Sequence, residues 1–165
     1  NTGIMIGGKV YTTNTESNYE GKQILLGDIL QKGRIKKQFF INETEIDKWE
    51  YLKGSKKEKR ISKTGHEYHY SEGSMVFPDP LDSPSRTIIT GEGGPSPSRF
   101  KHAVKTKNGL RRLTPVELER LNMFPDEHTK HENVTNAKRA FFMGNALVIG
   151  VVERMGRSLT TKLKD

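Results

Sequence analysis

The sequence predicts an α+β fold in which a small, mostly β and loop-rich part precedes two helices. Three observations predict it. Short β-branched segments and turn signals fill residues 1–108, five of the seven prolines fall within residues 73–99, and the clearest helical patterns lie in residues 109–165. We therefore expect two parts, residues 1–108 and residues 109–165.

Composition limits the classes of function. The 165-residue chain has a formal net charge of +8 and is only 32% hydrophobic. Such a basic chain favours a polyanionic partner such as nucleic acid, although charge alone fits a basic protein without that partner equally well. The chain has no cysteine, which excludes disulfides, zinc–thiolate sites and cysteine nucleophiles from it. No apolar run reaches membrane-spanning length and no signal pattern opens the chain, so we expect a cytoplasmic protein.

Short elements are predicted in the first third of the chain. The Lys9–Thr13 segment is β-branched and follows two glycines, which predicts a strand. Three more elements follow from caps and apolar spacing: a brief helix capped by Asp28, a strand over residues 37–41, and a helix over residues 42–52 that Gly54 ends.

Basic residues dominate the next segment. Residues 53–63 hold six positive charges, and Glu58 is the single acidic residue among them. Such a run is either a solvated surface or a phosphate clamp. Thr64-Gly65 lies between residues 60–63 and 66–70, which predicts a hairpin there.

Glycine and proline then dominate residues 73–99. These residues fix unusual but rigid backbone shapes, so the segment is predicted to be a shaped loop rather than a disordered one. A strand-like run of β-branched residues at 86–90 interrupts it.

The last third has the strongest local signals. Asn108-Gly109 predicts a hairpin between residues 103–106 and 110–113. Thr114, Pro115 and Glu117 form a capping box with proline at the first helical position, which predicts a helix to about Asn122. A second helix is predicted to begin near Asn145. Its apolar stripe comprises Leu147 or Val148, Val151, Val152, Met155 and Leu159, and Gly150 interrupts it.

Two of these segments resemble motifs of one enzyme family. The stretch from Arg112 to Asp126 resembles the ninth motif of cytosine-5 DNA methyltransferases of the bacterial restriction-modification type. About twenty residues later, Gly144-Asn145-Ala146-Leu147-Val148 resembles the tenth motif. Weaker resemblances are Pro84-Ser85-Arg86-Thr87-Ile88-Ile89-Thr90, similar to a Thr-Ile element of the family's target recognition domain, and Asn1-Thr2-Gly3-Ile4-Met5, similar to the sequence after the eighth motif.

The resemblance implies a division of labour. Residues 1–108 would be the target recognition domain, and residues 109–165 would return to the catalytic domain. That domain is Rossmann-like and absent from this chain, and the last helix would pack on it. The implied partners are double-stranded DNA and a catalytic domain or subunit that carries the other motifs, and the whole enzyme would use S-adenosylmethionine. The uncovered apolar stripe could also pack on the recognition domain or form a homodimer.

The chemistry itself is not encoded in this chain. The family attacks cytosine with a thiolate from a Pro-Cys segment and holds its cofactor with a glycine-rich loop, and this sequence has neither. Glu132-Asn133-Val134 matches the family's catalytic triplet in letters but lies between the ninth and tenth motifs, so we interpret it as coincidence. We therefore expect no catalytic residue here and no activity from the chain alone.

Candidate binding residues follow from the resemblance and from side-chain chemistry. Arg86 and Arg99 are expected to contact base edges, because arginine pairs bidentately with guanine. Thr87 matches the family's recognition threonine. The remaining DNA candidates, as phosphate or base partners, are Ser96, Ser98, Lys101 and His102. Asn145 and Ala146 are the cofactor-contact candidates that the tenth motif implies.

Each of the DNA candidates could instead be an ordinary loop residue. Two other functions also stay open: a non-enzymatic DNA-binding module that kept the recognition fold, and an RNA-binding or protein-interaction domain.

Overall fold

The computed structural model describes residues 2–16 and 19–163. Across these ranges the chain forms three separate two-stranded antiparallel ribbons and four α-helices. The ribbons are β1 (Thr2–Ile6) with β2 (Lys9–Thr13), β3 (Lys56–Ile61) with β4 (Glu67–Glu72), and β5 (Ala103–Thr106) with β6 (Gly109–Arg112). The helices are α1 (Ile46–Lys53), α2 (Pro115–Leu121), α3 (Asn136–Asn145) and α4 (Ile149–Lys162). This mixture of helices with small antiparallel sheets confirms the α+β expectation.

The predicted turn chemistry is present where the ribbons reverse. Gly7 and Gly8 both have positive φ, at 55° and 76°, as a two-residue type I′ hairpin requires. The predicted hairpins at Thr64-Gly65 and Asn108-Gly109 are confirmed as β3–β4 and β5–β6.

The core lies between the N-terminal short helices and the helical part. Leu26 and Ile29 lie on a 3₁₀ helix (Leu26–Ile29) and pack with residues of β5, α2 and α3 and with the residue that follows β6. The other members of the cluster are Val104, Leu113, Leu118, Ala140 and Met143. In a smaller cluster, Trp49 of α1 packs with Ile41 and Ala103. Because the first cluster draws on both sides of residue 108, the two predicted parts share one core.

The predicted strand at residues 37–41 is wrong. Residues Lys37–Phe39 form a 3₁₀ helix, and pairing with β6 is limited to one bridge between Phe40 and Arg111. Backbone N–H of Ile41 donates to the carbonyl of Leu110 at 2.9 Å. Phe39, Phe40 and Ile41 are residue types that strands favour, and their side chains are buried or half-buried, but the chain turns before a ladder can form.

The strand-like run at residues 86–90 also forms no strand. Its backbone lies against α3, where a Cβ built on Gly144 would come within 2.5 Å of the Thr90 backbone. Residues 86–90 therefore pack against α3 instead of pairing with a strand.

The second C-terminal helix begins later than predicted. Asn145 ends α3 instead of starting the next helix, and Ala146 and Val148 have extended backbone. N–H of Ile149 then donates to the carbonyl of Asn122 at 3.0 Å as α4 begins. The extra helix α3 has a local signal in Thr135, whose side chain accepts from N–H of Lys138.

None of the helices within residues 2–16 and 19–163 combines the length and apolar character that crossing a membrane requires.

Candidate functional site

Residues 73–102, which we call the proline loop, are fastened to β5 through Asp79. Backbone N–H of Asp79 donates to the carbonyl of Ala103 at 2.7 Å, and its carboxylate accepts from N–H of Ala103 at 2.8 Å. Burial raises the pKa of this carboxyl, but hydrogen bonds from Arg86 and Ala103 outweigh burial and hold the pKa below its usual value. Asp79 is therefore a charged anchor for the start of the loop.

Arg86, a predicted base contact, binds acceptors within the loop. Its Nε donates to Asp79 at 2.7 Å, and its two terminal nitrogens donate to the carbonyls of Phe100 and Lys101 at 3.0 and 3.2 Å. Its side chain is 30% exposed. Arg86 thus joins the two ends of the proline loop, and only its remaining N–H donors are open to another molecule.

Arg99, the second predicted base contact, binds the segments that flank β3 and β4. One terminal nitrogen donates to the carbonyls of Leu52 and Gly54, each at 3.1 Å, and the other donates to the carbonyl of Gly73. The same guanidinium lies 3.3 Å from the carboxylate of Glu72. Gly54 precedes β3 and Gly73 follows β4, so Arg99 holds the start of β3 and the end of β4 together at the end of the ribbon away from its turn.

Lys53 is a buried cation that the sequence did not single out as a site residue. Its Nζ donates to the carbonyls of Lys101 and Arg99 at 2.7 and 3.2 Å, and it lies about 6 Å from the ring centres of Trp49 and Phe77. Burial lowers the pKa of Lys53 to about 8. This ammonium group thus anchors the end of the proline loop from the α1 side.

Lys101, predicted to contact phosphate or base, is buried. Its Nζ donates to the carbonyls of Gly94 and Ser96 at 2.9 and 2.7 Å, and burial lowers its pKa. Arg112 reaches the same part of the loop and donates to the carbonyl of Gly94 at 2.9 Å. The ammonium group of Lys101 therefore holds the loop from inside, and its contact with DNA stays a prediction that this burial disfavours.

His102, also predicted to contact DNA, is fully buried. Its Nδ1 lies 2.8 Å from the carboxylate of Glu92, which also accepts from N–H of His102, and its Nε2 lies 3.1 Å from Oγ of Ser85. Both ring nitrogens therefore have internal partners. In this structure the imidazole joins Glu92 to Ser85, and its contact with DNA stays a prediction that this burial disfavours.

The hydroxyl candidates lie nearer the surface. The side chains of Thr87 and Ser96 are exposed, whereas Ser98 is half-buried and its Oγ accepts from N–H of Phe100 at 3.4 Å. Thr87 and Ser96 are thus the predicted DNA residues whose side chains are most open.

The two cofactor candidates lie at the junction of α3 and α4. Asn145 is exposed and its amide nitrogen donates to the carbonyl of Phe141 at 2.9 Å. Ala146 and Thr87 line the same cavity of about 300 Å³, whose walls are mainly apolar. The structure therefore brings one predicted cofactor residue and one predicted DNA residue to a common cavity.

The segment with the ninth-motif resemblance is held by buried ion pairs. Thr114 and Glu117 form the predicted capping box, which is confirmed, and Glu117 also receives two hydrogen bonds from Arg111 at 2.8 and 2.6 Å. N–H of Gln31 donates to the same carboxylate at 2.8 Å. The helix start is thereby tied to the N-terminal part of the chain.

A second buried acid on α2 organises the segment that follows it. Glu119 accepts from N–H of Glu127 at 2.7 Å, from N–H of Thr129 at 3.0 Å and from Arg139 at 2.9 Å. Sequence spacing does not reveal this partner, because Arg139 lies on α3, twenty residues away.

Two apolar faces of the described residues remain uncovered. On α4, Val151, Val152, Met155 and Leu159 are 47–67% exposed. The first turn packs where a Cβ on Gly150 would come within 2.5 Å of the Met123 sulfur, and in the next turn the guanidinium of Arg154 lies over the ring of Tyr19, 4.4 Å from its centre. On β1 and β2, the apolar side chains are 54–70% exposed, namely Ile4, Met5, Ile6, Val10 and Tyr11. These contacts of α4 thus lie in its first two turns, and its apolar stripe itself stays largely exposed.

Comparisons with known proteins agree on one family. Residues 8–161 match the family model described as C-5 cytosine-specific DNA methylase. The Type II methyltransferase M.Sau3AI of Staphylococcus aureus is 43% identical over 159 residues, which are 96% of this chain and 37% of that protein. The crystal structure of the S. pombe Dnmt2 methyltransferase superposes with a TM-score of 0.60 at 20% identity, over 88% of this chain and 44% of that one, a likeness of fold alone. The chain spans less than half the length of either relative.

Proposed function

Because this chain belongs to the C-5 cytosine-specific DNA methylase family, we propose that it is the target-recognition part of a DNA (cytosine-5-)-methyltransferase. The whole enzyme would transfer a methyl group from S-adenosylmethionine to a cytosine flipped out of the duplex. The Type II methyltransferase among the relatives supports a role in a restriction-modification system. A separate part, within the same polypeptide or another one, would supply the chemistry.

The observation that carries the proposal is the internal fastening of the proline loop. Lys53, Lys101 and Arg112 bind its carbonyls, and Arg86 joins its ends. A loop ordered before it meets DNA loses little conformational entropy on binding. Such a loop can present a fixed set of groups to a groove without a recognition helix.

The contacts support a revised assignment of the DNA-facing groups. Exposed Thr87 and Ser96, with the free N–H donors of Arg86, are placed to meet bases or phosphates. Ser98 stays a weaker candidate because its hydroxyl accepts a hydrogen bond from the loop. Arg99 is proposed to position the loop and the β3–β4 ribbon, since its guanidinium binds three carbonyls and one carboxylate.

The same reasoning assigns a limited cofactor role. The cavity beside Ala146 is mainly apolar, and Asn145 is exposed next to it, with its amide nitrogen bonded to the carbonyl of Phe141. The described residues include no glycine-rich loop beside it. Asn145 and Ala146 would therefore contribute to a cofactor site that is completed by the catalytic part, where S-adenosylmethionine supplies the methyl group.

The uncovered apolar faces support a large partner. The exposed stripes on α4 and on β1–β2 are the surfaces that the catalytic part would cover. A homodimer that uses the α4 face is the competing arrangement.

Co-expression with a catalytic part tests the proposal. That part would carry the Pro-Cys segment and the glycine-rich loop, and we expect the mixture to methylate cytosine in duplex DNA while neither part does so alone. A variant of the catalytic part with Cys replaced by Ser is the control. Duplex binding without methylation in every such mixture would instead indicate a non-enzymatic DNA-binding module.

A further inference from the structure

The β3–β4 ribbon has two faces of different electrostatic character. The register pairs Lys56 with Glu72, Lys57 with Ser71 and Lys59 with His69, and alternate residues of a strand point to opposite faces. The inner face therefore carries Lys56, Glu58, Arg60, Tyr68, Tyr70 and Glu72. The outer face carries Lys57, Lys59, Ile61, Glu67, His69 and Ser71.

The inner face neutralises its own charges. Lys56 lies 3.6 Å from Glu72, and Arg60 donates to Glu58 at 3.0 Å. The guanidinium of Arg60 also lies over the ring of Tyr70, 3.6 Å from its centre. Two cations thus meet two carboxylates on this face, which leaves it no net charge to offer a polyanion.

The outer face has cations without counter-charges. Lys57, Lys59 and His69 are exposed, and none of their side chains has a hydrogen-bond or ion-pair partner among the described residues. Its one acidic residue, Glu67, pairs with Ile61 at the turn end of the ribbon. Both lysines are closer than Glu67 is to the end of the ribbon where Arg99 binds Gly54 and Gly73.

The spacing of these lysines suits a nucleic-acid backbone. Residues two apart on a strand are about 7 Å apart, so two lysines on one face can each reach a phosphate of the same DNA strand, where phosphates succeed one another about every 3.4 Å along the helix axis. A two-stranded ribbon also fits the dimensions of the major groove.

We infer that the outer face of the β3–β4 ribbon binds the phosphate backbone of duplex DNA through Lys57 and Lys59, with His69 and Ser71 beside them. The inference rests on the proposed function and adds the element that supplies sequence-independent affinity. On the inner face, Glu72 lies 3.3 Å from the guanidinium of Arg99, and Lys56 donates to the carbonyl of Leu52 on α1 at 3.3 Å. Lys57 and Lys59 lie on the face opposite these contacts.

Salt dependence of binding distinguishes phosphate contacts from other effects. For the 165-residue chain and a set of duplexes of different sequence, the logarithm of the association constant is measured against the logarithm of salt concentration. The slope is negative, and each lost phosphate contact reduces its magnitude by about 0.9. The double variant Lys57→Gln with Lys59→Gln should therefore reduce the magnitude by about 1.8. The affinity should fall by a similar factor on every duplex.

Lys105→Gln with Lys107→Gln is the matched control. These two lysines are also exposed and lie at the β5–β6 hairpin. Their substitution removes the same amount of charge, and we expect it to change the slope by less than about 0.5. Equal slope changes in both variants would reduce the effect to net charge and overturn the inference. An unchanged slope in the ribbon variant, or a loss confined to one duplex sequence, would overturn it as well.

The two levels of proposal fail differently. If the parent chain binds duplexes with a base preference but the ribbon variant keeps its slope, the ribbon assignment alone falls. If the parent chain binds no duplex, the proposed function falls with it. Both lysines are exposed, so the variant should melt at the parent temperature, which is checked first.

Discussion

Buried cations in this chain bind backbone carbonyls. Proline has no N–H to donate, so a proline-rich loop cannot satisfy its carbonyls by forming a ladder. Lys53, Lys101, Arg99 and Arg112 supply donors instead, to carbonyls of the loop and of the segments beside it. Part of the net positive charge therefore stabilises the fold, and fewer cations are free to meet a polyanion than composition alone suggests.

Arg99 is the residue whose predicted role changes most. We expect Arg99→Ala to lower the free energy of unfolding by about 2–4 kcal/mol, because several charge-assisted hydrogen bonds are lost and Glu72 loses a counter-charge. Chemical denaturation measures this, and binding to matched and mismatched duplexes measures base preference. Unchanged stability together with a relaxed base preference would restore the base-contacting role that the sequence suggested.

Local spacing determines which residue roles the sequence predicts. Thr114 and Glu117 were predictable because a capping box is complete within four residues. Lys101 and His102 were not, because their surroundings depend on Lys53, Glu92 and Ser85, which lie up to 48 residues away. A basic or polar side chain in a loop gives no local sign that it points inward.

At the scale of elements, α3 decides how the proline loop is placed. A Cβ on Gly93 would come within 2.5 Å of Ala137, and one on Gly144 equally near the backbone of Thr90. Both glycines thus permit a close approach between the loop and α3. The sequence predicted neither α3 nor this contact, since a strand-like pattern at residues 86–90 masked a segment that packs on a helix.

Exchange of these glycines separates close approach from helix propensity. Gly144→Ala should destabilise the protein by about 1–3 kcal/mol, since its neighbour is backbone and cannot move aside cheaply. Gly156→Ala, in the middle of α4 with open space around its Cβ position, is the control and should stabilise by about 0.5–1 kcal/mol. Thermal unfolding measures both. A stabilising Gly144→Ala would mean that the loop does not lie against α3.

At the scale of the whole molecule, one shared core holds the N-terminal and helical parts together, while the apolar faces of α4 and of β1–β2 remain uncovered. The hairpins, the α2 start and the mixed class follow from turn and cap chemistry, which is local. The shared core does not, because apolar periodicity says which face is buried but not against what. The uncovered faces and the lack of a cysteine nucleophile agree with the proposed arrangement, in which another part performs the reaction.

Exchange of this chain between enzymes tests that claim most directly. The corresponding part of a family member that methylates a different sequence would be replaced by residues 1–165, and the methylated cytosines of a mixed-sequence duplex would be mapped by bisulfite sequencing. We expect an active hybrid whose methylated sequence differs from that of the parent enzyme and is the same in hybrids made with two different catalytic parts. Active hybrids that keep the sites of their catalytic parts would contradict it.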